Sequence, residues 1–153
     1  MKTLQELQPL IVEWAKQRNI HLPECAPKQR LKLIEECGEL ASAILKNDVE
    51  KQKDAIGDVF VVLVILAEQL KESFDLTFVD PEKDYITNCN VIETIISEII
   101  DRALNTTYFE TIIEWLNDAS LFLELDLTEC ANIAWNEIKD RKGQTVDGTF
   151  IKN

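Results

Sequence analysis

The chain has 153 residues, 46% of them hydrophobic, with only 4 glycines and 4 prolines. That size and composition give one domain (residues 1–153) with a sizeable core and exclude both a disordered chain and a turn-rich sandwich or barrel, so the expected class is all-α. A net charge of −12 argues against a nucleic acid polymer or an anionic membrane as partner, because both need a basic surface.

The four cysteines, Cys25, Cys37, Cys89 and Cys130, form no CxxC pair and have no zinc-ligand spacing, which fits reduced thiols in a cytoplasm. Cys37 sits among glutamates and reads as a packing residue, since nearby carboxylates raise a thiol pKa. The start, "MKTLQELQPL", lacks an apolar core of signal-peptide length. The longest apolar run, Val59 to Ala67, is too short to span a bilayer. The expectation is a soluble, cytoplasmic protein.

Leu4, Leu7, Ile11 and Trp14 recur at helical spacing and predict a first helix from Thr3 to Arg18. "NIHLPECAP" follows as a loop. A second helix is expected from Lys28 to Lys46, with Leu31, Ile34, Leu40, Ile44 and Leu45 among its apolar positions. Asn47-Asp48 breaks it, and Asp48 can cap a third helix from Val49 to Lys71. The β-branched run "VFVVLVILA" would also suit a strand, but its helical flanks with no intervening turn predict a buried helix. Ser73 to Cys89 reads as a loop around "VDPEKD". Further helices are expected at Asn90–Leu104, with Ile92, Ile95, Ile96, Ile99 and Ile100 inward, at Tyr108–Leu123, and at Thr128–Lys142, capped by Thr128 and ended by Gly143. "VDGTF" is an Asp-Gly turn signal for a short hairpin or strand. The predicted architecture is a helical bundle with a four-helix core.

The second helix carries "EECGEL" at Glu35–Leu40 and the third "DAIGDV" at Asp54–Val59. A short turn makes the two helices antiparallel neighbours. At 1.5 Å per residue, Glu36 and Glu39 come level with Asp54 and Asp58 to within roughly 2 Å along the hairpin axis. Spacing of three or four residues puts each pair on one face. Four converging carboxylates repel by about 1 kcal/mol per wet pair, and by about 4 where screening is poorer. A divalent cation removes that cost, and all-oxygen ligands suit Mg²⁺, with Mn²⁺ as the alternative. Gly38 and Gly57 flank these acids and predict tight packing between the two helices. A di-iron site would want Glu-x-x-His ligands, yet the only histidine, His21, lies in the first loop.

"EECGEL" followed by "DAIGDV" resembles the signature of the MazG-like all-α nucleoside triphosphate pyrophosphohydrolases, a Glu-Glu-x-x-Glu block and then a Glu-x-x-Asp block on the next helix. "QRLKLIEECGELASAILK" is similar to the family's second helix. "AWNEIKDRKGQTVDGTFIK" looks like the closing segment of small, often phage-encoded members. The resemblance implies Glu35 as the leading glutamate, Glu36 and Glu39 as the first metal pair, and Asp58 as the final aspartate. Ala55 stands where the family has its second-block glutamate, and Asp54, one residue earlier, can substitute. It further implies Mg²⁺-dependent cleavage between the α and β phosphates of a (d)NTP, with Glu35 or Glu36 as general base, and a homodimer or homotetramer.

A triphosphate needs cations. Lys139, Arg141 and Lys142, with Asn136, cluster at "NEIKDRKG", and arginine grips phosphate with paired bonds. The same cations also suit a helix C-terminus. Lys32, one turn before Glu36, can reach phosphate or pair with that glutamate. Gln29 can face the nucleotide. Trp14, Tyr108, Trp115 and Trp135 read as core aromatics rather than base platforms. The alternative class is a non-catalytic, cation-binding helical interaction protein. A variant reading keeps the site and changes the substrate to phosphoribosyl-ATP or a modified nucleotide.

Overall fold

A computed structural model describes residues Met1–Asn153. Six helices follow in order: α1 (Leu4–Gln17), α2 (Ala26–Leu45), α3 (Val49–Gln69), α4 (Ile92–Asn105), α5 (Phe109–Phe122) and α6 (Leu127–Ile138). Strands β1 (Gly143–Val146) and β2 (Thr149–Lys152) close the chain. No helix is long and apolar enough to cross a membrane.

The apolar run of α3 is a helix, and its position explains the strand-like composition. Every residue from Val59 to Ala67 is buried, with α1, α2, α5 and α6 packed around it. A helix surrounded on all sides has no polar stripe to show. Around it runs one continuous core from Leu4 to Ile138.

Local chemistry sets the helix starts. Thr3 and Glu6 form a reciprocal capping box on α1. The Asp48 side chain accepts from the Lys51 N–H and caps α3. The cap of α6 is Asp126, which accepts from Glu129 N–H at 3.0 Å. This corrects Thr128, which lies inside the helix. The expected end of α6 is corrected too: the helix stops at Ile138, a turn at 139–140 leads into the connection at 141–142, and Gly143 opens a strand.

The long segment from Leu70 to Val91 contains no helix or strand. Asp118 of α5, fully buried, anchors it. Its carboxylate pairs with Lys83 at 2.8 Å and accepts from the Asn88 backbone N–H at 2.9 Å and side-chain amide at 2.7 Å. These partners satisfy a charge that would otherwise be costly to bury.

On α2, the inward face is Leu33, Cys37, Leu40 and Ala43, while Leu31, Ile34 and Leu45 face solvent. On α4, Ile95 and Ile99 are fully buried, and Ile92, Ile96 and Ile100 only flank the core.

The expectation for the two glycines needs correcting. Gly57 is a close-approach site, but against α6: a Cβ there would lie 2.2 Å from the Cys130 carbonyl oxygen and 2.9 Å from Ala134 Cβ. Gly38 faces open space, so tight α2–α3 packing is not its reason. Gly57→Ala is therefore expected to destabilise by about 1–3 kcal/mol through overpacking. Gly38→Ala is expected to stabilise by up to about 1 kcal/mol through helix propensity. Urea unfolding midpoints of the two variants check this opposite pair.

Candidate active site

One cleft, about 450 Å³, is lined by α2, α3, the end of α6, the following turn and the hairpin. It collects six carboxylates: Glu35, Glu36 and Glu39 from α2, Asp54 and Asp58 from α3, and Glu137 from α6. Four cations share it: Lys28, Lys32, Arg141 and Lys152. A larger groove, about 590 Å³, runs along α1 and the end of α3. None of the polar side chains lining that groove is buried without a partner.

The antiparallel α2–α3 hairpin creates the acidic wall. Positions 35, 36 and 39 fall on the edge of α2 beside the core face of Leu33, Cys37 and Leu40. Asp54 and Asp58 share one face of α3, while Ala55 of the same helix is buried in the core. The residue at the site is thus Asp54, and Ala55 does not face the cleft.

Glu36 is nearly inaccessible, 3% exposed. Its Oε1 pairs with Lys32 Nζ at 2.6 Å, and Lys32 also bonds Glu35 at 2.9 Å. Glu36 Oε2 and Asp54 Oδ1 are buried with no hydrogen-bond partner. Burial raises the Glu36 pKa; the Lys32 bond opposes the rise, and the charges of Glu39 and Glu35 add to it. Burial works against the Lys32 ammonium, yet its bonds to Glu36 and Glu35 win and raise its pKa. One lysine therefore stays charged without fully offsetting the acids around it. Asp54 is raised by burial and by Glu137, against Arg141. Asp58 is pushed up to about 7, first by burial and then by Glu36, Asp54 and Glu137, with Arg141 opposing. Burial, with Glu36 second, pushes the Cys37 thiol up to about 12 and keeps it inert.

No three Asp, Glu, His or Cys side chains form a ready-made cation cage. The chemistry of the donors still fits a hard divalent cation. Two carboxylate oxygens are buried without partners, the ligands are all oxygen, and the local negative charge exceeds what Lys32 and Arg141 balance.

Residues 28–105, 78 of the 153, match the family of the MazG nucleotide pyrophosphohydrolase domain. The chain belongs to the MazG family. It is also similar to an uncharacterized 18.2 kDa protein in the rep-hol intergenic region of Haemophilus phage HP1 (strain HP1c1), at 49% identity over 69 residues. That stretch is 45% of this chain and 42% of the phage protein, so the match spans less than half of that relative. No solved structure matches.

The MazG segment supplies the acids of α2 and α3. The opposing wall, with Trp14, Glu137, Arg141, Phe150 and Lys152, comes from outside it. Of the cationic residues singled out in the sequence, Lys32 and Arg141 face the cleft. Asn136, Lys139 and Lys142 do not line it; the Lys139 ammonium donates to Asn136 Oδ1 at 3.0 Å on the exposed surface instead. The reason is the early end of α6, which leaves only Arg141 of the turn facing inward. Sequence reasoning missed Lys28, Lys152, Glu137 and Phe150. Gln29 lines the cleft and donates to the Val62 carbonyl at 3.2 Å.

The raised Asp58 pKa has a sign. In the folded protein Asp58 holds its proton up to about pH 7, against an ordinary value of 3.8. Between those values the native state binds more protons than the unfolded chain, so stability falls as pH rises through that window. Asp58→Asn is expected to flatten this fall and to exceed the metal-free wild type in stability at pH 8. Urea unfolding at pH 5, 6, 7 and 8 in chelator measures it.

Proposed function

We propose that this chain is a cation-dependent nucleotide pyrophosphohydrolase. A water attacks the α-phosphorus of a nucleoside or deoxynucleoside triphosphate, the α–β bridging bond breaks, and the products are the monophosphate and pyrophosphate. The observation that carries this reading is the convergence of buried Glu36 and half-buried Asp54 and Asp58, underneutralised together, on one cleft of a MazG domain.

Bound Mg²⁺ or Mn²⁺ would screen the phosphate oxygens and acidify the attacking water. Glu36, Glu39, Asp54 and Asp58 are its proposed ligands. Glu35 and Glu36 are the candidate bases. Both pair with Lys32, and Glu36 is the better suited, because its Oε2 is free and its proton affinity is raised, whereas Glu35 is exposed. Should Glu36 take the proton, three carboxylates remain as ligands. Lys28 and Lys152 enter no ion pair within the chain, and together with Lys32 and Arg141 they can hold the polyphosphate. Phe150 and Trp14 give the nucleoside an apolar wall.

A homodimer or homotetramer is part of this reading, supported by Leu31, Ile34 and Leu45, which turn outward along α2.

The test is a panel of ribo- and deoxyribonucleoside triphosphates incubated with the protein and Mg²⁺, with pyrophosphate as readout. Glu39→Gln and Asp58→Asn are each expected to lose about 100-fold or more of the turnover, the scale of removing a cation ligand. Mg²⁺ is expected to raise the wild-type melting temperature at pH 7 and to raise that of Asp58→Asn less. No pyrophosphate from any nucleotide, together with a melting temperature indifferent to Mg²⁺, overturns the reading in favour of a non-catalytic acidic interaction module.

A further inference from the structure

Arg18 lies at the C-terminal end of α1, outside the residues that match the MazG family, and is not among the residues lining the cleft. Its hydrogen bonds nevertheless converge on the wall opposite the carboxylates. Its Nε donates to the Arg141 carbonyl at 3.1 Å, and its Nη2 donates to the same oxygen. Its Nη1 donates to the Trp14 carbonyl at 3.0 Å. The guanidinium carbon lies 4.4 Å from the Trp14 ring centroid and 6.0 Å from that of Phe150. Those two rings meet edge to face at 5.3 Å. The Thr145 hydroxyl of β1 donates to the Arg18 carbonyl. Trp14, below it, donates its indole N–H to the Ile138 carbonyl at 2.8 Å.

These contacts tie the end of α6, the turn and both strands to α1. The hairpin itself holds its shape through Asp147-Gly148, whose positive φ values of 48° and 77° match a type I′ turn, and through the paired Val146 and Thr149. A two-stranded hairpin alone is marginal in water. It needs an anchor to stay over the cleft, and the Arg18 fork is the charged, half-buried group that supplies one.

We propose that Arg18 is a positioning residue, a bolt that fixes the turn and the C-terminal hairpin so that the Arg141 side chain, Phe150 and Lys152 face the acidic wall. This rests on the pyrophosphohydrolase reading, with Arg141 and Lys152 on the polyphosphate and Phe150 beside the nucleoside. The fork geometry matters: a lysine keeps the charge but cannot give two bonds to one carbonyl while lying flat over the Trp14 ring.

The test uses the full chain and the variants Arg18→Ala and Arg18→Lys, with two readouts. Amide hydrogen exchange of residues 143–152 is expected to accelerate about tenfold or more in both variants, while α2 and α3 amides keep their rates. For the triphosphate most active with the wild type, KM is expected to rise about tenfold with kcat within about threefold, the pattern of lost uniform binding. A residue that only stabilised the fold would lower the active fraction, read as kcat, and leave KM alone. Unchanged hairpin exchange overturns the bolt, and an unchanged KM overturns its positioning role. If the wild type releases no pyrophosphate, the activity reading fails and the exchange result alone decides the bolt. Should Arg18→Ala not fold, Thr145→Val, which removes one bond to the Arg18 carbonyl, is expected to shift exchange and KM in the same direction by less; no shift in either overturns the proposal.

Discussion

The molecule is organised around the confinement of α3. Four helices pack against it, and its run from Val59 to Ala67 is apolar on every side. Its N-terminal half packs on α2 and α6 through Gln52, Lys53 and Gly57 and carries two aspartates on one face. Because α3 cannot turn, that face cannot swing into bulk water to relieve Asp54 and Asp58. The acids stay where the packing puts them, and the cleft forms along a stretch of α3 that faces α2, the end of α6 and the hairpin. Gly57 completes the constraint. Its missing side chain lets the α6 backbone lie against α3, and the close approach of α6 carries Glu137 and Arg141 to the cleft's far edge.

Confinement turns charge into stored free energy. Isolated surface acids would repel weakly and be screened by salt. Here burial is the largest cause acting on Glu36, Asp54 and Asp58 alike, and the neighbouring carboxylates push the same way, against Lys32 and Arg141. The Lys32 ion pair with Glu36 answers part of this and leaves one carboxylate oxygen without a bond. Such a site lowers the stability of the apo fold, a cost often found where function requires it. In the proposed reading, a cation and a polyanion bind here together, because the cation offsets the charge of both the carboxylates and the phosphates.

Much of this follows from short-range rules. The six helices, the Asp48 cap and the Asp-Gly hairpin come from periodicity, capping and turn chemistry, all local. That α2 and α3 turn their acids to one cleft follows from spacing across a two-residue break. The direction in which a glycine faces does not follow: Gly57 contacts α6, a helix more than 60 residues later in the chain, and no local pattern marks it. Asp126 and Thr128 are both competent caps two residues apart, and only packing of Leu127 into the core selects the first. Leu31, Ile34 and Leu45 keep helical spacing, yet α2 presents another face to the core. Lys28, Phe150 and Lys152 escaped notice because they meet only when the hairpin folds back across the start of α2. Its tip shows this contact, with Gly148 beside Cys25 and Lys28.

The two walls of the cleft have different origins and different physical demands. The acidic wall lies within the MazG segment on two long, mutually packed helices, where rigidity fixes the geometry of the acids. The facing wall is a turn and a two-stranded ribbon from beyond that segment, with little core of its own. A ribbon can change its side chains without disturbing a helix interior, so it is the cheaper place to vary what the cleft accepts. It can do so only while anchored, since a side chain on a wandering loop contributes little binding. That requirement explains why so polar a group as a guanidinium is half-buried against two aromatic rings at the end of α1. In the proposed reading the fixed acids set the chemistry of the cleft, and the bolted ribbon sets the shape of what reaches them.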